Sequence, residues 1–299
     1  MRAWLRAFWD GAQGYQRLAY LVGVALIATG LVHAAIWALV GGSAAGPLSW
    51  RKPTTFGISF GLTTLTLGWV ASYLPVRRAA GWVAACLLCA STTLEVVWVS
   101  LQHARGVPSH FNTATALDNG LFVMGGVAIA VTILVTAAMT VAAFTRTTAA
   151  PPMAWAIRSG LLALLAAQAV GAWMIAHGLT LVDAGADPLT QSMSTYGDAG
   201  AMKVAHFVPM HAIQVFAVLA WLLSFSGVSQ RRQTWLVALA VAGYALLFGV
   251  VLLRTANGLG PFDLRSASTA GYLVALGLLA AAVVGLAVGV GRRAAPPGT

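Results

Sequence analysis

Charged residues are scarce in this sequence. Only 8% of its 299 residues are charged and 59% are hydrophobic, whereas about a quarter of the residues in a soluble protein are charged. Apolar runs of about 20 residues recur along the chain, which is the length that a helix needs to cross a bilayer. The composition therefore excludes a large water-soluble core and predicts an all-α integral membrane protein.

Cysteines and catalytic motifs are scarce as well. The two cysteines, Cys86 and Cys89, stand in the apolar segment CLLC, where no loop exists for a disulfide to close, so we expect both to be core residues. The sequence contains no HExxH, P-loop or CxxCH motif. Its chemistry therefore has to be sought in single polar residues.

Eight apolar segments are long enough to span a membrane. They lie near residues 18–41, 53–75, 80–104, 118–144, 156–181, 201–226, 234–255 and 267–290. Eleven of the 17 lysines and arginines then share a side with both termini: Arg2, Arg6, Arg17, Arg77, Arg78, Arg146, Arg158, Arg231, Arg232, Arg292 and Arg293. The positive-inside rule makes that side cytoplasmic. We expect a multi-pass protein of a bacterial inner membrane.

The positive-inside rule also explains the net charge of +10, because the arginines lie in short loops between spans. We therefore expect the lipid bilayer, and no nucleic acid, as a partner. Residues 1–16 mix aromatic and basic side chains and lack the cleavage site of a signal peptide. That mixture indicates an interfacial helix ahead of the first span.

The second half of the chain resembles the first at an offset near 151 residues. FNTATALDNGLFV, from Phe111, aligns without gaps with FDLRSASTAGYLV, from Phe262, and RKPTTF aligns with MKVAHF. We predict two four-helix repeats, 1–150 and 151–299, which have the same orientation because each holds an even number of spans. Chance similarity between apolar helices is the alternative.

Glu95 is the most informative single residue. A carboxyl group in the middle of CASTTLEVVWVSLQ has to be protonated, paired or hydrated. Gln102 lies on the same helical face, and His103 lies about 80° around the axis, so we expect an inward polar stripe. Glu95 is our candidate catalytic residue, as a proton acceptor or ligand, and a structural hydrogen bond to a neighbouring helix is the alternative.

All six histidines fall in the outer half of the spans or in the outer loops. We take His33, His103, His206 and His211 as candidate metal ligands. His206 and His211 point about 140° apart on an ideal helix, although Pro209 between them can unwind the turn. The depth of each residue along its helix favours a buried triad of His33, Glu95 and His211. For either histidine, the alternative is an ordinary buried histidine bonded to a carbonyl.

A shell of cations and polar residues is expected nearer the outer surface. It includes the two histidines, the arginine and the asparagine of VSLQHARGVPSHFN, a segment that we interpret as the lip of an outer cavity. Arginine and lysine can clamp carboxylates or phosphates of a ligand, or they can anchor the protein by pairing with outer acids. The candidate cofactor-binding residues are Arg51, Lys52, Arg105, His110 and Lys203; Arg254 and Arg265 are the other outer cations.

At WRKPTTF, RGVPSHFN and MKVAHFVPMHAIQ the chain resembles a family of bacterial polytopic membrane proteins, through the elements KPxxF, RGxxSHFN and HFxxxHAxQ. That resemblance implies no activity. In architecture alone, two tandem four-helix bundles with membrane histidines are similar to haem A synthase. The histidines here are not repeated between the two halves.

Three functions remain open from the sequence. The first is a membrane oxidoreductase, or a protein that binds haem or a transition metal ion. The second is a proton-coupled transporter or a receptor for a small solute, and the third is an assembly factor. The inner halves of the spans hold little polarity beyond serine, threonine and Gln168, which favours a one-sided site for a small molecule on the outer face. Glycine-rich spans such as FVMGGVAIA also allow a homo-oligomer.

Overall fold

The computed structural model of the protein describes residues 2–263 and 268–294. Arg265, which the sequence places among the outer cations, lies outside the described residues. The helices are α1 (Arg2–Gly11), α2 (Gly14–Val40), α3 (Arg51–Val70), α4 (Arg78–Ala104), α5 (Ala116–Arg146), α6 (Pro151–Asp183), α7 (Met202–Met210), α8 (Ala212–Ser224), α9 (Gln230–Ala256) and α10 (Thr269–Ala294). A 3-10 turn, Ala71–Tyr73, follows α3. Two short strands, β1 (Thr195–Tyr196) and β2 (Gly200–Ala201), pair antiparallel.

The fold is all-α, and in the described residues seven helical segments are long and apolar enough to cross a membrane. They are α2, α4, α5, α6, α7 together with α8, α9, and α10 without its last residues. The protein is therefore a multi-pass membrane protein, as its composition predicts. The remaining expected span, near residues 53–75, coincides largely with α3. This helix has 20 residues but is less apolar than the seven segments require.

The chain divides into two compact units. The first unit comprises Met1–Ala142 and Gly178–Met193, and the second comprises Ala143–His177 and Ser194–Thr299. The division falls inside α5 and α6, so each of these helices contributes residues to both units.

In the first unit, α2 and α3 are in direct backbone contact at glycines. A Cβ atom on Gly57 would lie 2.6 Å from the Cα of Gly30, and one on Gly61 would lie 2.6 Å from the carbonyl oxygen of Gly23. Small residues allow this approach between membrane helices, where packing and not the hydrophobic effect drives association. The tight pair fixes the position of the polar residues at the start of α3.

The cysteine expectation is half right. Cys89 is buried in the first unit, but Cys86, three residues earlier on α4, is exposed. A spacing of three places the two thiols about 60° apart on the helix, which is enough for one to leave the core.

In the second unit, a hydrophobic cluster is centred on Val170, Ala205 and Val251, which belong to α6, α7 and α9. The interruption expected near Pro209 is present, because α7 ends at Met210 and α8 begins at Ala212. His211 lies between the two helices.

Helices α4 and α9 end in the same way. Gly106 and Gly258 both have φ near +67°, a conformation that glycine adopts without strain. Each glycine N–H donates to the carbonyl three residues earlier, and the next N–H donates to the carbonyl five residues before it, over 2.9–3.1 Å. This is the Schellman ending of a helix, repeated at positions 152 residues apart.

Candidate ligand site in the first unit

The predicted site residues are divided between the two units. The first unit holds His33, Arg51, Lys52, Glu95, His103, Arg105 and His110, and the second holds Lys203, His206 and His211. The preferred triad contains members of both units and stays a prediction. The geometry below is that of each unit by itself.

Glu95 lies on the buried face of α4. Its side chain is 1% exposed, and its Oε1 atom has no hydrogen-bond partner among the described residues. Lys52 of α3 is close enough to interact with it electrostatically. Gln102, two turns further along the same face, is fully buried, as the predicted polar stripe requires, but it does have a partner, the Oδ1 atom of Asp118 at 2.9 Å.

Trp98 extends this face one turn above Glu95. It is 2% exposed, and within the described part of the chain its Nε1 atom has no acceptor. Its ring lies against Gly125 of α5, where a Cβ atom would come within 2.2 Å of it. The ring is also stacked on His110, with centroids 4.8 Å apart. A buried indole N–H normally finds a partner, so this donor is unusual.

His33 of α2 and His103 of α4 are both in ring contact with Trp50. The ring centroids are 6.0 Å apart for His33 and Trp50, and 4.2 Å apart for Trp50 and His103. In both histidines the Nδ1 atom is buried and has no partner in the part of the chain that the structure describes. His103 lies about 12 Å along the helix from Glu95, at 1.5 Å per residue.

Buried polar atoms without a partner are therefore concentrated in the first unit. Six are found there among residues 2–142 and 178–193: His33 Nδ1, Thr54 Oγ1, Glu95 Oε1, Trp98 Nε1, Ser100 Oγ and His103 Nδ1. They come from α2, α3 and α4. Each such atom costs about 1–3 kcal/mol if no partner is supplied, and groups of this kind occur where water, an ion or a ligand completes the hydrogen bonding.

The loop between α4 and α5 carries the SHFN element and packs against α3 and α4. His110 packs against Phe56 of α3 and Trp98 of α4, with ring centroids 5.7 Å and 4.8 Å apart. Phe111 is buried with φ of +62°, which is costly for a bulky residue. Backbone strain of this kind persists where the surroundings fix it and is frequent at ligand sites.

Two of the predicted outer cations are bound to their own chain. Arg105 forms an ion pair with Asp118, with Nη1 and Oδ1 2.6 Å apart, and also donates to Gln102. The Arg51 Nε atom donates to the carbonyl of Ala44 over 2.8 Å. The ion pair with Asp118 is the pairing that the anchoring interpretation of Arg105 expects, and Arg51 is held by a backbone carbonyl.

In the second unit the histidines are bound to protein atoms. His206 Nδ1 lies 2.7 Å from the carbonyl oxygen of Ala167, and His177 Nε2 lies 2.9 Å from that of Thr195. His211 packs against Phe207, with ring centroids 4.5 Å apart. His206 and His177 thus match the alternative of a structural histidine bonded to a carbonyl.

Within residues 2–263 and 268–294, no group of three or more His, Cys, Asp or Glu side chains is placed to hold a metal ion. Sequence reasoning missed Trp50, Thr54, Trp98 and Ser100. Trp98 carried a signal, since it follows Glu95 by three residues and shares its face.

Sequence reasoning also missed a GxSxG pattern, GISFG, at residues 57–61. In serine hydrolases that pattern forms a turn between a strand and a helix. Here it lies inside α3, and Gly57 and Gly61 contact α2. It therefore serves helix packing.

No protein-family model, curated protein or solved structure matches the chain.

Proposed function

We propose that the first unit binds a small ligand on the outer side of a bacterial inner membrane, through His33, Glu95 and His103. The observation that supports it is the set of six buried, unpartnered polar atoms in that unit. Polar and ionisable groups inside a membrane are costly and are retained where they act on a substrate, ion or proton. A ligand with donors and acceptors would complete their hydrogen bonding.

Haem or a transition metal ion is the ligand class that we propose first, because neutral imidazole binds both. The unpartnered Nδ1 atoms of His33 and His103 are compatible with this role, and these two residues would hold the group. Haem would supply one-electron transfer, in keeping with a membrane oxidoreductase. Lys52 would face an anionic substituent, and Glu95 would accept or release a proton.

We further propose eight spans, with both termini in the cytoplasm. At 1.5 Å per residue the 20 residues of α3 extend about 30 Å, the thickness of the hydrocarbon core. The distribution of lysine and arginine supports the orientation. The matching ends of α4 and α9 support an origin of residues 1–150 and 151–299 by duplication.

Proton-coupled transport is the second candidate, and a row of buried hydroxyl groups favours it. Ser91 Oγ, one turn below Glu95, lies 2.9 Å from Thr132 Oγ1 of α5, and Thr136 and Thr140 follow on the same helix. The three threonine hydroxyls lead along α5 toward its C-terminal end at Arg146. For transport we expect Thr136→Val to slow proton uptake by proteoliposomes that carry a pH-sensitive dye; unchanged uptake would remove this support.

The experiment that tests the first candidate is an absorption spectrum of the purified protein, oxidised and dithionite-reduced, with elemental analysis of the same sample. We expect a Soret band with a reduced α band, or a stoichiometric metal, that is lost in His33→Ala and His103→Ala. His177→Ala in the second unit is the matched control and should retain it. A protein without chromophore or metal would contradict the haem and metal proposal.

A further inference from the structure

Helix α1 is fixed against the start of α2, the first helix of the chain that is long and apolar enough to span a membrane. Arg17 of α2 donates from Nε to the carbonyl of Trp9 and from Nη2 to that of Asp10, each over 3.1 Å. A basic side chain at the end of a helix binds carbonyls that have no partner within the helix. Phe8 also packs against Tyr20 of α2, with ring centroids 5.1 Å apart. Helix α1 is therefore held where the first span begins.

The start of α4 lies beside this junction. The ring of Trp82 makes an edge contact with Tyr15, with centroids 6.4 Å apart, and a Cβ atom on Gly14 would lie 3.0 Å from the same ring. A Cβ atom on Gly81 would lie 2.7 Å from the ring of Tyr15. The end of α1 and the beginnings of α2 and α4 therefore meet at one end of the first unit.

This end of the first unit presents exposed arginines and tryptophans. Arg6 of α1 is exposed, and so are Arg77 and Arg78, which precede and begin α4. Trp9 and Trp82 are 36% and 37% exposed. Tryptophan is enriched where a membrane meets water, and an amphipathic helix such as α1 lies in the plane of that boundary. We call these five residues the basic surface.

The charge and depth of the basic surface indicate what it binds. Residues 2–17 and 77–82 contain five arginines, Arg2, Arg6, Arg17, Arg77 and Arg78, and one acidic residue, Asp10. Because the apolar span of α2 begins at Gly14, these segments lie at the level of the lipid head groups. Arginine binds phosphate through parallel N–H donors, and arginine clusters next to a span are attracted to lipids with a net negative charge.

We propose that the basic surface binds the head group of an anionic phospholipid. The guanidinium groups of Arg6, Arg77 and Arg78 would contact the phosphate, and Trp9 and Trp82 would lie at the boundary between head groups and acyl chains. This interaction surface is separate from the ligand site at Glu95 and does not depend on it. The alternative is that the arginines only fix the orientation of the chain in the membrane.

The test uses the full chain in nanodiscs that contain phosphatidylglycerol and phosphatidylcholine in equal amounts. In each of two samples, one of the lipids carries a photoreactive group close to its head group, and the labelled peptides are identified by mass spectrometry. We expect phosphatidylglycerol to label residues 2–20 and 77–82 about tenfold more than phosphatidylcholine does. Arg6→Gln should lower this ratio about fivefold, as for the loss of one cation at a membrane surface. Arg77→Gln together with Arg78→Gln should bring it close to one.

The matched control removes two adjacent arginines from the start of another helix. Arg231 and Arg232 begin α9 in the second unit and are also exposed. Arg231→Gln together with Arg232→Gln should therefore leave the labelling ratio of residues 2–20 and 77–82 unchanged.

Equal labelling of these two segments by both lipids would overturn the proposal and would mean that the arginines serve only orientation. A ratio that Arg77→Gln together with Arg78→Gln leaves unchanged would overturn it as well. Neither result changes what is expected of the absorption spectrum, so the proposed function is tested independently.

Discussion

We expect Glu95 and Gln102 to make opposite contributions to the free energy of unfolding, although both are buried on the same face of α4. Gln102 donates to Asp118 over 2.9 Å, whereas Glu95 Oε1 has no acceptor or donor partner in the described residues. Replacing Gln102 by an apolar residue removes its hydrogen bonds to two charged groups, those of Asp118 and Arg105, whereas replacing a buried group that has no partner removes a cost. This contrast is what the binding role that we propose for Glu95 predicts, with Gln102 as a structural residue.

We therefore expect Gln102→Leu to lower the free energy of unfolding by about 1–3 kcal/mol. Glu95→Leu should leave it unchanged or raise it, while abolishing ligand binding. Both can be measured by thermal unfolding in detergent after ligand has been washed away. A Glu95→Leu protein that is as unstable as Gln102→Leu would show that the carboxyl group is structural.

For single residues, the sequence predicts the position on a helix better than the contacts between helices. The shared face of Glu95 and Gln102 follows from 3.6 residues per turn. The contact of His103 with Trp50, or the packing of Trp98 on Gly125, depends on ring orientation and on the separation of neighbouring helices, which no local pattern specifies. The polar stripe could be predicted for this reason, and so could the place of Trp98 on the same face, but the contacts of the aromatic rings could not.

The helix pair α2 and α3 depends on glycine at the points of closest approach. A Cβ atom on Gly57 would lie 2.6 Å from Gly30, and the backbone there cannot move without separating the helices. Gly126 of α5 is a matched position, since nothing lies within 4 Å of its ideal Cβ.

Gly57→Ala should therefore disrupt the first unit, whereas Gly126→Ala should be neutral or slightly stabilising, by up to about 1 kcal/mol, through helix propensity. Size-exclusion profiles and melting temperatures of the two variants give the comparison. Equal behaviour of the two variants would show that α2 and α3 are not in backbone contact.

Helix positions were largely predictable, because long apolar runs determine where membrane helices lie. The predicted span 80–104 and the helix Arg78–Ala104 differ by two residues at one end. Residues 201–226 were one span in the prediction but two helices in the structure, with the break at His211. Pro209 signalled the interruption, but not the residue at which it occurs.

At the scale of the whole molecule, the number of spans depends on α3. If α3 crosses the membrane, the loop before it and the loop after it lie on opposite sides. Ser43 and Arg77 are exposed in these two loops, and the native Cys86 and Cys89 can be replaced by alanine to give a thiol-free background.

In that background we expect Ser43→Cys to react with a membrane-impermeant maleimide added to intact cells. Arg77→Cys should react only after the membrane is opened. Labelling of both cysteines from one side would mean that α3 does not span and that the protein lacks an eighth span.

The most direct test of the central claim is an experimental density map of the protein purified in nanodiscs, at a resolution that shows side chains and bound molecules. We expect non-protein density within about 3.2 Å, the hydrogen-bond limit, of Glu95 Oε1 or of the Nδ1 atoms of His33 and His103. A map in which these atoms bond only to protein groups would contradict it.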